Sequence, residues 1–489
     1  MTNELIVSPT ARRNTLFSRL AQQVLTIPRY LPIRFTGGAV GPEEAPLRPE
    51  HFVSCIIPAY NEEEGIGAVL ESLLSQTRPP DAVHVIVNNT TDDTVYESSK
   101  YEGRHRIRRR LGLMETNVYV HDIGTNLDKK VGALNYGYQI AQAEGAEFVL
   151  GVDGDTTLEK RCLEHLLDEM VGDSRIGGLS AIYAFENVKS GPVASFLLSA
   201  QKAQFAAFNM DHLLKSRTMS VLGGQCSIFR VKTLEMLCAH HHQTTPWTND
   251  SEVEDSLLSI QIRTVGYQTK ISATARAYVG PMLTLRSLYA QQVKWTAGGI
   301  KLMRQHPFHP NLRQKWTENI GMTFNIIVRL LFALLLVGSL SIGAFVFNPI
   351  WLIPPVLAWL LAVRVTASMH NRTWKDWLYS ATLAPSEVYM WLRATYFVAS
   401  WWQVLNATER DNWGAQSAAE SGKGGMGILW PLVVLGAVFG IVGYSWTTLS
   451  AAQQADVLAY GWPVLMVLTV MLTLGMMRKA LRRHRSFTV

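Results

Sequence analysis

Four long apolar segments in the C-terminal part of this 489-residue chain constrain its fold more than any other feature. Each is long enough to cross about 30 Å of membrane hydrocarbon as an α-helix, the second with little to spare. The segments are Ile320–Phe347, Trp351–Ser368, Gly427–Ser450 and Val457–Met477. Residues before position 310 instead have the mixed polar and apolar composition of a soluble domain. The sequence therefore predicts a soluble domain followed by an all-α transmembrane domain of about four spans.

The stretch 374–402, between the second and third predicted spans, is rich in Trp and Tyr but is interrupted by proline and charged residues. A fifth span here would place the basic C-terminal tail outside, against the tendency of Lys and Arg to stay in the cytosol. We therefore predict interfacial helices on the cytosolic face. The predicted outer loops, 348–349 and 451–456, contain no Lys or Arg. These patterns predict a multi-pass protein of the plasma (inner) membrane with the soluble domain and both termini in the cytosol.

The chain divides into a segment 1–49, a cytosolic domain 50–310 and a membrane domain 311–489. The first segment has an amphipathic pattern that fits either an interfacial helix or a packing helix of the soluble domain. The net charge of +6 is concentrated in basic clusters at 104–110 and 478–485. Beside membrane spans, such clusters favour contact with anionic membrane lipids over nucleic acid. For the first cluster, a solvated helix face is an equal alternative.

Apolar, β-branched runs alternate with segments of helical periodicity in the first part of the soluble domain. Strands are predicted over 52–57, 83–87, 118–121 and 148–152, and helices over 66–75 and 130–141. Alternating strands and helices predict an α/β domain with a mostly parallel sheet. Polar turns follow the strands, and in such sheets ligands bind at the carboxyl ends of the strands.

Two carboxylates, Asp153 and Asp155, directly follow the last of these strands in Gly-Val-Asp-Gly-Asp-Thr. Carboxylates at this position and spacing can hold a hard divalent cation against a diphosphate. An isolated Asp-x-Asp pair is more often a turn or a helix cap. The prediction of a metal site depends on three features that follow in order, namely Ser-Glu-Val-Glu-Asp at 251–255, Gln-Gln-Val-Lys-Trp at 291–295, and the apolar spans.

The order and spacing of these motifs resemble the family 2 inverting glycosyltransferases, in particular their membrane-integrated branch. That branch contains the cellulose, chitin and hyaluronan synthases and the nodulation-type chitooligosaccharide synthases. The resemblance covers roughly residues 50 to 415. It implies a GT-A nucleotide-sugar-binding domain and a hexosyltransferase or N-acetylhexosaminyltransferase activity. It also implies a nucleotide-sugar donor, in the first place a UDP-sugar. The implied cofactor is Mg²⁺ or Mn²⁺, and the implied acceptor is a glycan or is lipid-linked.

The resemblance assigns five residues before the Asp-x-Asp pair to the donor site. Pro58, Tyr60 and Glu62 match the family's first nucleotide-contacting turn, and Asn89 lies in a turn whose family counterpart is acidic and binds uracil. An amide can both donate and accept hydrogen bonds, so asparagine can serve base recognition there. Lys130 matches a lysine that precedes Ala-Leu-Asn, where a cation would offset the charge of the diphosphate. The alternative for Lys130 is a surface lysine at a helix start.

The resemblance assigns nucleotide and metal binding to Asp153 and Asp155, and catalysis to Asp255, beside Glu254. Asp255 matches the general base of the family's Thr-Glu-Asp motif, with Val253 at the threonine position. One base that removes the acceptor hydroxyl proton supports direct displacement, which converts an α-linked donor into a β-glycoside. The alternative for Glu254 and Asp255 is a capping pair at a helix N-terminus.

Gln291 and Lys294 match the family's Gln-x-x-Arg-Trp signature, in which the cation faces the donor diphosphate. The lysine keeps the positive charge of the family's arginine but not its bidentate geometry. Trp295 and Gly224 match positions that bind the acceptor sugar, the first as an aromatic platform and the second within a glycine-containing turn.

A last match concerns Trp413, in a predicted gating loop over 408–426. It resembles a tryptophan of hyaluronan-type synthases that enters the occupied nucleotide site. Together these features predict a processive transferase that extends a glycan and exports it through its own spans. The nearest alternative is a non-processive transferase that glycosylates a lipid carrier or a protein and uses the spans as an anchor. An inactive membrane scaffold or glycan-export component is a third alternative.

Overall fold

The structure is a computed structural model of the chain, and it describes residues 33–36, 50–109, 112–406, 412–420, 422, 429–483 and 486–489. The predicted N-terminal amphipathic helix lies outside the described residues. Of the predicted gating loop 408–426, only residues 412–420 and 422 lie within them.

Strands and helices alternate in the first half of the described chain, and helices dominate the second half. In chain order, the strands are β1 (Ile33–Thr36), β2 (Val53–Ala59), β3 (Ala82–Val87), β4 (Gly103–Arg109), β5 (Gly112–Asp122), β6 (Phe148–Val152), β7 (Thr157–Leu158), β8 (Ile176–Ala184), β9 (Cys226–Arg230) and β10 (Gln268–Tyr278). The helices are α1 (Ile66–Leu74), α2 (Thr94–Ser99), α3 (Lys129–Ala143), α4 (Cys162–Gly172), α5 (Pro192–Leu214), α6 (Val231–His241), α7 (Glu254–Thr264), α8 (Leu285–Gln305), α9 (Arg313–Ser341), α10 (Ile353–Ser368), α11 (Trp374–Ala381), α12 (Leu383–Leu405), α13 (Asn412–Glu420), α14 (Leu429–Thr448) and α15 (Ala451–Ala480). Short 3-10 helices, Pro310–Leu312 and Pro349–Leu352, precede α9 and α10.

The chain forms two compact units that alternate along the sequence. Unit 1 consists of Met1–Gly177 and Gly224–Trp247, and unit 2 consists of Gly178–Gly223 and Thr248–Val489. The predicted boundary between a cytosolic domain and a membrane domain at residues 310 and 311 stays a prediction.

Unit 1 is built on a sheet in which the strands follow the order β1, β4, β5, β3, β2, β6 and β9. The centre is parallel, because β2 pairs with β3 and β6, and β3 pairs with β5. The pairs of β4 with β5 and of β6 with β9 are antiparallel. Almost every residue of β2, β3 and β6 is buried, which explains their continuous apolar runs. Each fully buried Val, Leu or Ile side chain in them stabilises the fold by roughly 1.5–3 kcal/mol.

The predicted elements correspond closely to the observed ones in this sheet. The strands predicted over 52–57, 83–87, 118–121 and 148–152 are β2, β3, the second half of β5, and β6. The predicted helices over 66–75 and 130–141 are α1 and α3. The sheet is mixed, with a parallel centre and antiparallel pairs beside it.

Helix α3 packs on β2 through Gly137, where the two backbones approach too closely for a side chain. A Cβ atom at Gly137 would lie 2.5 Å from Ile56 Cγ2. Ile56 is fully buried in the core of unit 1, so it has little room to move away.

We expect Gly137→Ala to lower the midpoint of thermal unfolding, because overpacking a well-packed core costs about 1–3 kcal/mol. Gly172→Ala in α4 is the matched control, since a Cβ atom there meets nothing within 4 Å. Both variants add the same methyl group to a helical glycine of unit 1, and the difference between them reports the packing effect. Circular dichroism of the purified protein measures both midpoints, and equal values would contradict this contact.

Residues 104–109 of the basic cluster lie on strand β4, so the alternative of a solvated helix face was wrong. Arg104 and Arg106 of β4 flank Glu115 of β5, with N–O distances of 3.4 and 3.2 Å. Arg109 donates to two carbonyl oxygens at the C-terminal end of α1, where a helix leaves its carbonyl groups without partners. These arginines therefore connect elements within unit 1.

Unit 2 is mostly helical, with β8 and β10 as neighbouring strands. One buried cluster contains Leu197 of α5, Leu288 of α8, Tyr379 of α11 and Tyr396 of α12. A buried ion pair also joins α5 to α11, where Lys202 Nζ lies 3.1 Å from an oxygen of Asp376. The stretch 374–402, predicted to be interfacial, thus forms helices α11 and α12, and its position at a membrane surface stays a prediction.

Three helices of the described residues are long and apolar enough to cross a membrane. They run over Pro310–Ser341, Pro349–Ser368 and Ala451–Ala480, and they contain most of the first, second and fourth predicted spans. The third predicted span begins outside the described residues and continues in α14, whose apolar part Leu432–Thr448 is shorter.

Candidate active site

The turns that follow β2 and β3 are joined by hydrogen bonds at the carboxyl edge of the sheet in unit 1. Asn61, with a left-handed φ of 55°, donates its backbone N–H to Thr90 Oγ1 at 3.1 Å and accepts from the Thr91 N–H at 2.9 Å. The predicted donor residue Pro58 lies at the end of β2, and Tyr60 and Glu62 lie in the turn that follows. Because the turns are joined, these residues lie beside the turn that contains Asn89.

Asn89 connects the turn after β3 to the turn after β5. Its Nδ2 donates to Asn126 O at 2.8 Å and to Asn88 Oδ1 at 3.1 Å, and its Oδ1 accepts from the Asn126 N–H at 2.9 Å. With both amide hydrogens engaged, Asn89 can bind a ligand only through the remaining lone pair of Oδ1. Asn89 thus shapes the turns, and its role in base recognition stays a prediction.

Asp153 and Asp155 lie in the turn directly after β6, at the same edge of the sheet. Asp153 Oδ1 accepts a hydrogen bond from Lys130 Nζ, in the first turn of α3, at 2.6 Å. Asp155 is open to water on one side, but the protein around it disfavours its charged form and raises the pKa of Asp155 to about 6, with a further contribution from the negative charge of Asp153. A place where two carboxylates repel each other in this way favours a bound cation.

Glycines allow the neighbouring turns to contact this Asp-x-Asp turn. A Cβ atom at Gly154 would lie 2.8 Å from Glu62 Cγ, so only glycine leaves room for the Glu62 side chain. On the opposite side, the Asp153 N–H donates to Gln225 O at 3.4 Å, next to Gly224. Unit 1 therefore brings together the predicted residues Pro58, Tyr60, Glu62, Asn89, Lys130, Asp153, Asp155 and Gly224.

The donor atoms at this edge fit a hard divalent cation that shares its coordination with a bound nucleotide. No group of three or more His, Cys, Asp or Glu residues in the described part of the chain could hold a metal ion. Asp153 and Asp155 would therefore supply only part of the coordination. This is how Mg²⁺ is often bound, through one or two carboxylates together with phosphate oxygens and water.

In unit 2, Glu254 and Asp255 form the first turn of α7. The helix dipole stabilises carboxylates at this position, as the capping alternative predicts. Burial distinguishes the two acids, because Glu254 is only 5% exposed whereas Asp255 is half-buried. Asp255 is therefore the more accessible of the two to an incoming hydroxyl group.

The helix that carries Gln291, Lys294 and Trp295 packs against this acidic turn. A Cβ atom at Gly298 of α8 would lie 2.7 Å from Val253 Cγ1, so the contact requires glycine. Lys294 is 5% exposed. The Trp295 ring is half-buried, with its centroid 6.2 Å from that of Phe205.

Glu252 connects the acidic turn to α13. Its Oε2 accepts from Asn412 Nδ2 at 2.7 Å, and its Oε1 accepts from Lys301 Nζ at 3.2 Å. Asn412 is buried and also accepts from Gln403 Nε2 at 3.2 Å. Trp413 follows Asn412 in the first turn of α13, and its side chain lies outside the described part of the chain. Unit 2 thus places the segment of Trp413 beside the motif that contains Asp255.

Two models of known protein families match parts of the chain. A family model described as "Glycosyl transferase family 2" matches residues 54–237, and one described as "Glycosyl transferase family group 2" matches residues 148–367. The chain contains family 2 glycosyltransferase domains. The two matches cover the Asp-x-Asp turn, the Glu-Asp turn and the Gln-x-x-Lys-Trp segment of the chain.

Curated relatives of this chain include polysaccharide synthases. The poly-beta-1,6-N-acetyl-D-glucosamine synthase of Staphylococcus epidermidis is 21% identical over 267 residues, which are 54% of this chain and 58% of the relative. The probable glucomannan 4-beta-mannosyltransferase 4 of Oryza sativa subsp. japonica is 23% identical over 271 residues, which are 55% of this chain and 46% of the relative. The chain thus spans about half the length of the curated relatives that it matches.

Solved structures also match this chain at low identity. The mannosyltransferase PcManGT from Pyrobaculum calidifontis, in complex with GDP-Man and Mn²⁺, is 17% identical with a TM-score of 0.41 and covers 81% of this chain and 95% of that chain. S. aureus TarS 1–349, in complex with UDP-GlcNAc, is 18% identical with a TM-score of 0.31 and covers 51% of this chain and 66% of that chain.

These findings confirm the family, the enzyme class and the GT-A fold followed by a helical C-terminal region that the resemblance implies. The roles of the individual site residues stay predictions. Asp153 and Asp155 belong to unit 1 and Asp255 to unit 2, so their action on one substrate also stays a prediction. Sequence reasoning missed Glu252 and Asn412, because neither differs in type from an ordinary surface residue and no local pattern links them.

We expect Gly298→Ala to lower the transfer rate by roughly tenfold, because the added methyl group displaces Val253 and with it the turn that carries Asp255. A shift of about 1 kcal/mol or more is typical of overpacking, and 1.4 kcal/mol corresponds to a factor of 10 in rate. The measurement is the initial rate of nucleoside diphosphate release at saturating donor.

The neighbouring Gly299→Ala is the matched control. A Cβ atom at Gly299 would meet only Lys315 Nζ, at an ordinary contact distance of 3.6 Å. It should retain nearly the wild-type rate. If both variants are equally active, the contact of Gly298 with Val253 does not position the acidic turn.

Proposed function

We propose that this protein is an inverting, membrane-bound glycosyltransferase that transfers a sugar from a nucleotide-sugar, in the first place a UDP-sugar, to the end of a growing glycan. The observation that carries the proposal is the Lys130–Asp153 ion pair of 2.6 Å beside Asp155, at the carboxyl edge of the sheet. An accessible pair of carboxylates next to a cation, in a family 2 domain, fits a nucleoside diphosphate with a divalent ion.

The donor diphosphate carries several negative charges, and the chain offers two lysines for it. Lys130 is held at Asp153, and Lys294 in α8 takes the position of the family's arginine. A lysine is a point charge without a fixed fork geometry, so it offsets the charge of the leaving group without fixing its orientation. Asp153 and Asp155 would hold Mg²⁺ or Mn²⁺, which when bound stabilises the charge that builds up on the leaving diphosphate.

Asp255 acts as the general base in this proposal. It takes the proton of an acceptor hydroxyl group while that oxygen forms a bond to the anomeric carbon of the donor sugar. The bond from the anomeric carbon to the phosphate oxygen breaks on the opposite side, and the nucleoside diphosphate leaves with that electron pair. A single displacement of this kind gives a β-linked product from an α-linked donor.

Trp295 and the turn at Gly224 bind the acceptor in this proposal. The half-buried indole of Trp295, tilted against the ring of Phe205, offers an aromatic surface of the kind on which sugar rings bind. Trp413 is proposed to reach the donor site from the segment that Asn412 holds to Glu252. The acceptor stays bound between transfers, so the enzyme extends the glycan repeatedly. It exports the glycan across the plasma membrane through its own spans. Its catalytic domain and both termini lie in the cytosol.

Incubation of the purified full chain with a panel of nucleotide sugars and MnCl₂ tests the proposal. We expect nucleoside diphosphate release with one preferred donor and a ladder of products in size analysis. A single added sugar on a lipid or protein acceptor would instead indicate a non-processive transferase that uses its spans as an anchor. Absence of both release and metal-dependent nucleotide binding would overturn the proposal and favour an inactive scaffold.

A further inference from the structure

Two residues that follow the helices of unit 2, Thr488 and Val489, are docked on the body of the unit, and we call them the latch. The Val489 N–H donates to Ser368 O at 2.8 Å, and Val489 O accepts from the His370 N–H at 2.7 Å. Val489 is only 4% exposed. The latch is therefore fixed against the loop that connects α10 to α11.

A buried arginine of β10 also binds the latch. Arg276 is 4% exposed, and its Nη2 donates to Thr488 O at 3.2 Å and to Thr488 Oγ1 at 3.3 Å. A guanidinium group that is removed from water needs acceptors for its N–H groups, and Thr488 supplies two. Hydrogen bonds from a charged donor are stronger than neutral ones, so they hold the latch in place.

The side chain of Val489 lines a cavity of about 10 Å³, close to the volume that one water molecule needs. Three aromatic residues, Tyr183, Phe185 and Phe205, line the same cavity. The loop that binds the latch is bonded to one of them, because Asn371 Nδ2 donates to Phe185 O at 2.6 Å. Since so little space remains, the latch closes the cavity beside these rings.

Two of these aromatic residues support predicted parts of the acceptor site. The Tyr183 hydroxyl group donates to Gly223 O at 2.9 Å, in the glycine-containing turn. The Phe205 ring packs on Phe185, with centroids 4.8 Å apart, and on Trp295, with centroids 6.2 Å apart. The cavity that the latch closes thus borders the supports of both the turn and the tryptophan.

We propose that the latch is a positioning element of the acceptor site. It limits the motion of Tyr183 and Phe205. These residues in turn hold the turn at Gly224 and the ring of Trp295 in the orientation that binds the acceptor sugar. This role rests on the acceptor functions proposed above for Trp295 and Gly224. Release of the latch weakens acceptor binding equally in the ground state and the transition state, which raises KM and leaves kcat unchanged.

Steady-state kinetics of Val489→Lys in the full chain tests this role. Lysine is too long for the cavity and would place a second ammonium group beside Lys202, which also lines it. The acceptor is a tetrasaccharide of the sugar that the donor panel selects. At saturating donor, we expect KM for this acceptor to rise roughly tenfold or more, since small displacements of a binding group have effects of this size. The value of kcat should stay within about twofold of the wild type.

Ser486→Lys is the matched control, because it adds the same charge two residues before the latch. Ser486 is exposed, and its left-handed φ of 57° is close to the 49° that Lys129 adopts. This variant should keep the wild-type KM. Val489→Ala keeps the test valid if Val489→Lys fails to fold, because it keeps the backbone hydrogen bonds and only enlarges the cavity. It should raise KM by about threefold.

Hydrogen exchange of the full chain without any sugar tests the docking separately. The amide hydrogens of Val489 and His370 are bonded in the latch, so they should exchange slowly in the wild type and in Ser486→Lys. In Val489→Lys they should exchange roughly tenfold faster or more, because the latch is released.

Equal exchange of these amides in the wild type and Val489→Lys would overturn the docking. A wild-type KM in both variants of Val489 would overturn the positioning role and leave the proposed function intact. A lower kcat with an unchanged KM would mean that the latch only stabilises the fold, and this result would also overturn the role. If the wild type transfers sugar to no acceptor, the proposed function fails and the positioning role fails with it.

Discussion

Replacement of Asp255 with asparagine is expected to lower the rate of sugar transfer by about 10²–10⁴-fold, the range that a positioned general base supplies. Asparagine keeps the size of the side chain but cannot take the proton of the acceptor hydroxyl group. Affinity for the donor nucleotide should change little, because the proposed diphosphate contacts come from other residues. Initial rates of nucleoside diphosphate release and calorimetric titration of the nucleotide measure the two effects separately.

Asp250→Asn is the control for this variant, since Asp250 is an exposed carboxylate only five residues earlier. It should transfer sugar at the wild-type rate. Glu254→Gln separates the two adjacent acids, and because Glu254 is 5% exposed, we expect it to affect the unfolding temperature more than the rate. A near-normal rate for Asp255→Asn would show that another group takes the proton.

Replacement of Asp155 with asparagine is expected to abolish the stimulation of donor binding and transfer by Mn²⁺. A metal ligand at the diphosphate is worth several kcal/mol, and a loss of about 3 kcal/mol corresponds to roughly 100-fold weaker binding. Removal of the metal from the wild type with EDTA should have the same effect, and EDTA should have little further effect on the variant. Titration of the nucleoside diphosphate with and without Mn²⁺ measures each case.

Asp168→Asn, at an exposed position on α4, controls for the loss of one negative charge from unit 1. It should bind the metal–nucleotide complex as the wild type does. Metal-dependent affinity that survives in Asp155→Asn would place the cation elsewhere.

Local sequence patterns predicted the central strands and the position of the Asp-x-Asp turn. The strands β2, β3 and β6 are buried on both faces, and this requires continuous apolar runs that are readable in the sequence. Once these strands are parallel, their carboxyl ends lie at one edge, and the residues that follow them must be neighbours. Lys130, which the resemblance assigns to the donor site, forms an ion pair with Asp153 at this edge.

For the basic cluster that begins at Arg104, local sequence patterns suggested the wrong secondary structure. In β4, the buried residues Gly103, His105 and Ile107 alternate with the arginines, which is the period of a strand. The density of charge suggested a solvated helix face, because the partner that neutralises Arg104 and Arg106, Glu115, lies on a different strand. The pairing of β4 with β5 stabilises the strand conformation of this cluster. The composition of one strand does not reveal which strand pairs with it.

The amino-acid sequence by itself determined the class of the fold, the apolar helices and the motifs of a family 2 glycosyltransferase. The pattern of apolar residues, the length of apolar segments and the spacing of motifs are local properties of a chain. Only the tertiary structure decided which residues support those motifs. Glu252 and Asn412 are 160 residues apart, and Gly298 meets Val253 only because the space between two helices excludes a side chain. Such contacts depend on the matching of donors, acceptors and volumes across elements, and these quantities exist only once the chain has folded.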